Sequence, residues 1–275
     1  MRIAGKRTVV YLYLNGLEVS RSVKIDEFVE LLPASCSPRL EDIIAVSQNE
    51  LDLGIVTIFL PRVHSQFRII ADNPQKLAIR AWNTVWDAVL LSALFDCNAV
   101  CNLQCDGPAE NFSAESDLLV TNYHLRGLVA DTYTLNDDEL SWVENNFLKA
   151  RRLLGIPEFR NAVHSLATYR WHSLPRAQLA LIWSGIEGLF KIHNEIVFRL
   201  SLYIARFLSP TDENERKQIF SQVKKLYKYR SAAVHGSKAD NALSEYVDQS
   251  VSLLRRLVYK CIEIEGLPQP ENLVP

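Results

Sequence analysis

The stretch of the chain richest in chemistry is Arg216–Gly236, RKQIFSQVKKLYKYRSAAVHG. Six basic residues, Arg216, Lys217, Lys224, Lys225, Lys228 and Arg230, fall in fifteen positions with no acid among them. Tyr227 and Tyr229 are interleaved, and His235 follows. Cations neutralise phosphates and aromatic faces stack on bases, so the run suits an RNA-binding surface, with Lys224, Lys225, Tyr227 and Lys228 as its contacts. A solvated helix face has the same composition. Histidine titrates near neutrality and can take or give a proton.

Helical geometry separates these residues. At about 100° per residue, Val223, Tyr227, Arg230 and Val234 lie within about 60° of one another. Arg230 therefore sits on the apolar stripe, where an unpaired charge is costly. It must lie in an ion pair or in a cleft. On an unbroken helix His235 points about 140° away from Arg230. The two share a site only if the helix ends or bends between them, or if a second copy supplies one. Gly236 suits a helix end. Glu187 flanks a stripe of Trp183, Ile186 and Phe190, and is placed either to orient Arg230 or to make a simple ion pair.

Arg230-Ser-Ala-Ala-Val-His235-Gly236 resembles the R-x4-H motif of the HEPN superfamily, in its Apea-like branch. There an Arg-Ser and a His-Gly pair follow a helix rich in Lys and Tyr. Upstream, Leu179–Phe190 (LALIWSGIEGLF) resembles a second recurring helix of that branch, and Glu195–Arg206 (EIVFRLSLYIAR) a third. The resemblance covers about residues 140–265, with the three segments in order. The resemblance does not extend to residues 1–130, which carry no recognised motif.

The resemblance implies a helical bundle that forms a homodimer, with two R-x4-H motifs in one cleft. It implies a metal-independent, cofactor-free endoribonuclease, commonly a toxin or antiphage-defence effector with an antitoxin or activator protein. Arg230 and His235 are then the catalytic residues, with Ser231 and Glu187 in support. Many active members carry Asn, Asp or His after the arginine. Ser231 stands there and can still donate a hydrogen bond to a phosphate. The other expectation is a catalytically inactive HEPN scaffold that dimerises or binds RNA. A related branch is silenced by nucleotidylation of a tyrosine two positions past the histidine; Ser237 occupies that place.

The elements that must position these residues fall into two parts, an α+β region over 1–130 and a HEPN-type helical bundle over 131–275. In the first, TVVYLYLNGLEV from Thr8 has the alternation and Asn-Gly turn of a hairpin. Ile55–Leu60, Phe67–Ile70, Leu118–Val120 and Tyr123–Leu128 read as strands, and Leu77–Phe95 after Pro74 as a helix. In the second, start signals at Asn136, Pro157, Ser173-Leu174-Pro175, Asn194, Asp212 and Asp240 mark six helices with short connections.

Composition bounds the rest. The chain has 275 residues, 48% hydrophobic and 23% charged, which fits a folded protein and excludes a fibrous or disordered one. Residues 1–130 carry 11 basic and 15 acidic side chains against 19 and 17 in the remainder, for a net −2. A field that weak cannot gather nucleic acid, so any such site is a local patch. Apolar runs such as Ala88–Leu91 are far shorter than the roughly 20 residues that span a bilayer, so no membrane partner is expected. Arg2, Lys6, Arg7 and the apolar run after them read as a strand and turn, not a leader. Five cysteines, an odd set in a chain needing no staples, suit a reducing cytoplasm. Cys97, Cys101 and Cys105 would share a helix face as zinc ligands might, but no fourth ligand is apparent, and buried small hydrophobes are the simpler reading.

Overall fold

Strand β1 (Val9–Asn15) is the axis of the first unit, because its β-branched and aromatic residues bury nearly all of both faces. The computed structural model describes residues 2–4, 8–128, 130–192, 195–234 and 243–273, Val234 by its backbone only. The chain forms two units, residues 1–148 and 149–275.

After β1 come β2 (Leu17–Val19), β3 (Val23–Lys24), β4 (Val29–Pro33), α1 (Leu40–Val46), α2 (Glu50–Phe59), β5 (Ser65–Ile70), α3 (Pro74–Phe95), β6 (Val100–Cys105), β7 (Leu118–Val120) and β8 (Tyr133–Leu135). Six strands form one antiparallel sheet in the order β3-β4-β5-β1-β6-β7. Tyr13, Leu103 and Cys105 pack on Ile55, Val56 and Phe59 of α2. Leu12 and Leu14, pointing to the opposite face of the sheet, are equally buried. Helix α3 packs along β1, β5 and β6.

Three expectations fail here. The Asn15-Gly16 turn forms, with Gly16 at φ +79°, but no hairpin follows. The flank of β1 is taken by β6, with a register shift between Tyr13 and Asn15, and β2 pairs in parallel with β8 instead. Gly16 is required on a second count, since a Cβ there would lie 2.2 Å from the Asn98 carbonyl oxygen. Ile55–Leu60 is not a strand; most of it is the end of α2. Asn49 caps that helix by accepting from the Leu51 and Asp52 amides, and Glu50 and Asp52 sit at its positive end. Tyr123–Leu128 is a loop leading into a short 3-10 turn at Leu125–Leu128, held where the Asn102 amide donates to Asn122 and His124.

Helix α4 (Asp137–Leu153) opens on a reciprocal capping box. The Glu139 amide donates to Asn136 Oδ1 at 2.9 Å and the Asn136 amide to Glu139 Oε2 at 3.0 Å. Because β8 pairs with β2 and Arg21 binds Glu144 at 2.5 Å, the first part of α4 belongs with the sheet. The compositional shift near residue 130 therefore precedes the division between units.

The second unit continues with α5 (Pro157–Thr168), α6 (Pro175–Phe190), α7 (Ile196–Leu208), α8 (Glu213–Val234) and α9 (Ser244–Glu263). Helix α6 is central, packing on α5, α8 and α9. Its Leu179, Ile182, Trp183, Ile186, Leu189 and Phe190 are all buried. A Cβ at Gly185 would meet Leu254 at 2.9 Å and the Ala162 Cα at 3.2 Å, so this glycine sets how closely α6 approaches its neighbours. An α+β region followed by a helical region is thus the observed architecture.

Candidate functional site

Helix α8 carries the basic run. Asp212 starts it, accepting from the Asn214 and Glu215 amides at 2.8 and 3.1 Å. Val223 and Leu226 are fully buried, which fixes the rotation of the helix. That rotation leaves Lys224, Lys225 and Lys228 exposed, while Tyr227, Arg230 and Ser231 are half-buried. The stripe deduced for Arg230 is therefore its actual position.

Arg230 meets Glu187 of α6. A guanidinium nitrogen lies 3.2 Å from Glu187 Oε1 and donates to Oε2 at 3.4 Å. The two side chains are 26% and 29% exposed, so the pair sits at the mouth of the α6–α8 seam. Its hydrogen bonding is incomplete. Glu187 Oε1 is buried and out of line for a hydrogen bond, and the buried Nε of Arg230 has no hydrogen-bond partner. Burial pushes the Glu187 carboxyl above its usual range, and the Arg230 charge opposes that only in part.

Aromatic rings carry the pair. Tyr227 meets the fully buried Trp183 edge to face, with centroids 5.3 Å apart. The Arg230 guanidinium lies 5.5 Å from the Tyr227 ring centre, in cation–π range. Trp183 in turn donates its indole N–H to Ser250 of α9 at 3.1 Å. Burial, then Glu187, raises the Tyr227 phenol above its usual value, so it stays a neutral donor at pH 7.

Sequence reasoning missed Tyr246. Its ring stacks on Tyr229 at 3.4 Å and 15°, and the Lys225 ammonium lies 5.8 Å from its centre. The hydrogen bond with Tyr229, then burial, pushes the Tyr246 phenol up to about 12. A lone tyrosine near the start of α9 carries no signal; only the packing of α9 on α8 shows that it extends the Lys-Tyr surface.

His235 and Gly236 lie outside the described residues. Helix α8 is regular through Val234, so any break that turns His235 toward Arg230 comes after that residue.

The cysteines do not share a helix face. Cys101 and Cys105 stand on β6, Cys97 precedes it, and all three are buried and outside any disulfide. Burial pushes the Cys101 thiol up to about 12, as in an inert core residue. Among the described residues no group of three or more His, Cys, Asp or Glu is placed to hold a metal ion. None of the described helices is long and apolar enough to cross a membrane. Comparison of the chain with protein-family models, with curated proteins and with solved structures finds no match.

Proposed function

We propose that this chain is an Apea-like HEPN endoribonuclease, cleaving RNA without a metal in a cleft shared by two copies. The observation that carries the reading is the meeting of Glu187 and Arg230, which joins two separate segments of the resemblance at one point. In this reading Arg230 holds the scissile phosphate and stabilises its developing charge. The exposed Lys224, Lys225 and Lys228 draw in the backbone, and Tyr227 and Ser231 flank the phosphate. His235 takes the proton of the ribose 2′-hydroxyl. The 2′-oxygen then bonds to phosphorus, the bond to the 5′-oxygen breaks, and the leaving oxygen receives a proton from the second copy's histidine. The products are a 2′,3′-cyclic phosphate and a 5′-hydroxyl. A cytoplasmic toxin or defence effector, restrained by an antitoxin or released by an activator protein, fits that activity.

A second reading has its own support. The Glu187–Arg230 contact is also what a structural ion pair looks like, and an inactive HEPN scaffold would keep it. Cleavage of labelled RNA in EDTA separates the two. The nuclease reading expects cyclic phosphate ends from the wild type and none from His235→Ala. A mixed dimer with one His235→Ala subunit that kept full activity would contradict the shared-acid-base step.

A further inference from the structure

A cavity of about 530 Å³ opens in the first unit at the β7 edge of the sheet. Helices α2 and α3, strands β6 and β7 and the segment after β7 line it, together with Arg2. That volume suits a small-molecule ligand. Trp82 of α3 is 58% exposed and Tyr123 is 51% exposed, and both line this one concavity. Single exposed aromatics are ordinary; two that line one cavity together with Val85 and Val120 offer apolar surface suited to a flat ring.

The polar wall is built and rigid. The Tyr123 hydroxyl donates to Asp52 Oδ1 at 2.6 Å, and the Asn49 amide donates to Asp52 Oδ2 at 3.0 Å. Asp52 is only 6% exposed and is thereby satisfied at both oxygens. The proton of Tyr123 is committed to Asp52, so the hydroxyl offers a ligand only its lone pairs. The segment behind it is pinned to β6, where Thr121 Oγ1 and the Asn122 amide both donate to the Cys101 carbonyl at 2.7 and 2.9 Å. Such preorganisation lowers the entropic cost of binding. Arg2 is exposed and makes no hydrogen bond or ion pair with the described residues, so its charge is available to an anion.

We propose that this cavity binds a nucleoside monophosphate with an exocyclic amine on its base. The base stacks on Trp82, the amine donates to Tyr123 and the phosphate meets Arg2. The site is independent of the ribonuclease reading and would give the first unit a sensing role.

Calorimetric titration of the full chain with AMP and IMP tests it, since these differ at the exocyclic amine. AMP is expected to bind at least about tenfold tighter than IMP, the worth of one well-placed hydrogen bond. Trp82→Ala and Arg2→Ala should each weaken AMP at least about tenfold. Trp82→Phe, which keeps a ring, should weaken it less. Tyr123→Phe should bring the AMP and IMP affinities together. Arg230→Ala should leave AMP binding intact, which separates this site from the one on α8. Absence of saturable AMP binding, or AMP binding that survives Trp82→Ala and disappears in Arg230→Ala, overturns the proposal.

Discussion

Each unit holds a carboxylate against a polar partner, and the two are finished differently. In the first unit Asp52 accepts from Tyr123 and Asn49, neutral donors that satisfy both oxygens. In the second, Glu187 faces a full positive charge, yet one of its oxygens and the Nε of Arg230 lack hydrogen bonds. A satisfied carboxylate rigidifies its surroundings. An unsatisfied pair costs stability where it stands and leaves donor capacity on the arginine. The first arrangement builds a wall; the second, in the proposed ribonuclease, is the guanidinium that would exchange its partner for a phosphate.

The strongest break in this comparison is Arg230→Ala. If the proposed ribonuclease reading holds, losing Arg230 should lower RNA cleavage by about 10²–10³, measured as an initial rate on labelled RNA. Tyr123→Phe at the wall of the first unit should leave that rate unchanged.

Next in size is the aromatic support. Trp183→Ala should cost about 3–5 kcal/mol in denaturant unfolding, because it empties a fully buried site and orphans the Ser250 hydroxyl.

Two glycines sharpen the contrast in packing. Gly185→Ala should destabilise by about 1–3 kcal/mol, since its Cβ has no room beside Leu254 and Ala162. Gly54→Ala, in α2 with nothing within 4 Å of a Cβ, should stabilise by about 0.5–1 kcal/mol. The same unfolding experiment reads both.

The pH dependence of Glu187 has an unusual sign for a paired carboxylate. Its folded pKa is raised by burial, with Arg230 opposing, so the folded state holds the proton more tightly than the unfolded chain. That contribution is fully present below the unfolded value and is lost as pH rises through the folded one. Wild type should therefore gain stability relative to Glu187→Gln as pH falls from neutral through the carboxylate range. Urea unfolding at several pH values checks it; a gain in the opposite direction would mean that Arg230 dominates. The smallest effect belongs to Arg199→Ala. Its exposed i,i+4 partner Glu195 stabilises only the helix, and the unfolding midpoint should barely move.

Where local chemistry decides, the sequence was readable. Asn136 with Glu139 and Asp212 announce their helices because capping is settled within four residues, and Pro175 announces α6 because its fixed φ suits the first helical position. The inward turn of Arg230 followed from the rotation of α8, and Glu187 from the stripe beside it. The failures are places where distance decides. IVTIFL has strand-forming residues, but the Asn49 cap and the burial of Ile55, Val56 and Phe59 one helical turn apart make it α2. The pairing of β2 with β8 depends on residues more than a hundred positions apart, and the Tyr229–Tyr246 stack on how α9 packs against α8.

Metal-independent RNA cleavage by this chain is tested by the end chemistry of labelled RNA incubated in EDTA with wild-type protein and with His235→Ala. The wild type is expected to leave 2′,3′-cyclic phosphate and 5′-hydroxyl ends, with the rate reduced by about 10²–10⁴ in the variant. Equal cutting by both proteins, or products with 5′-phosphates, would contradict it.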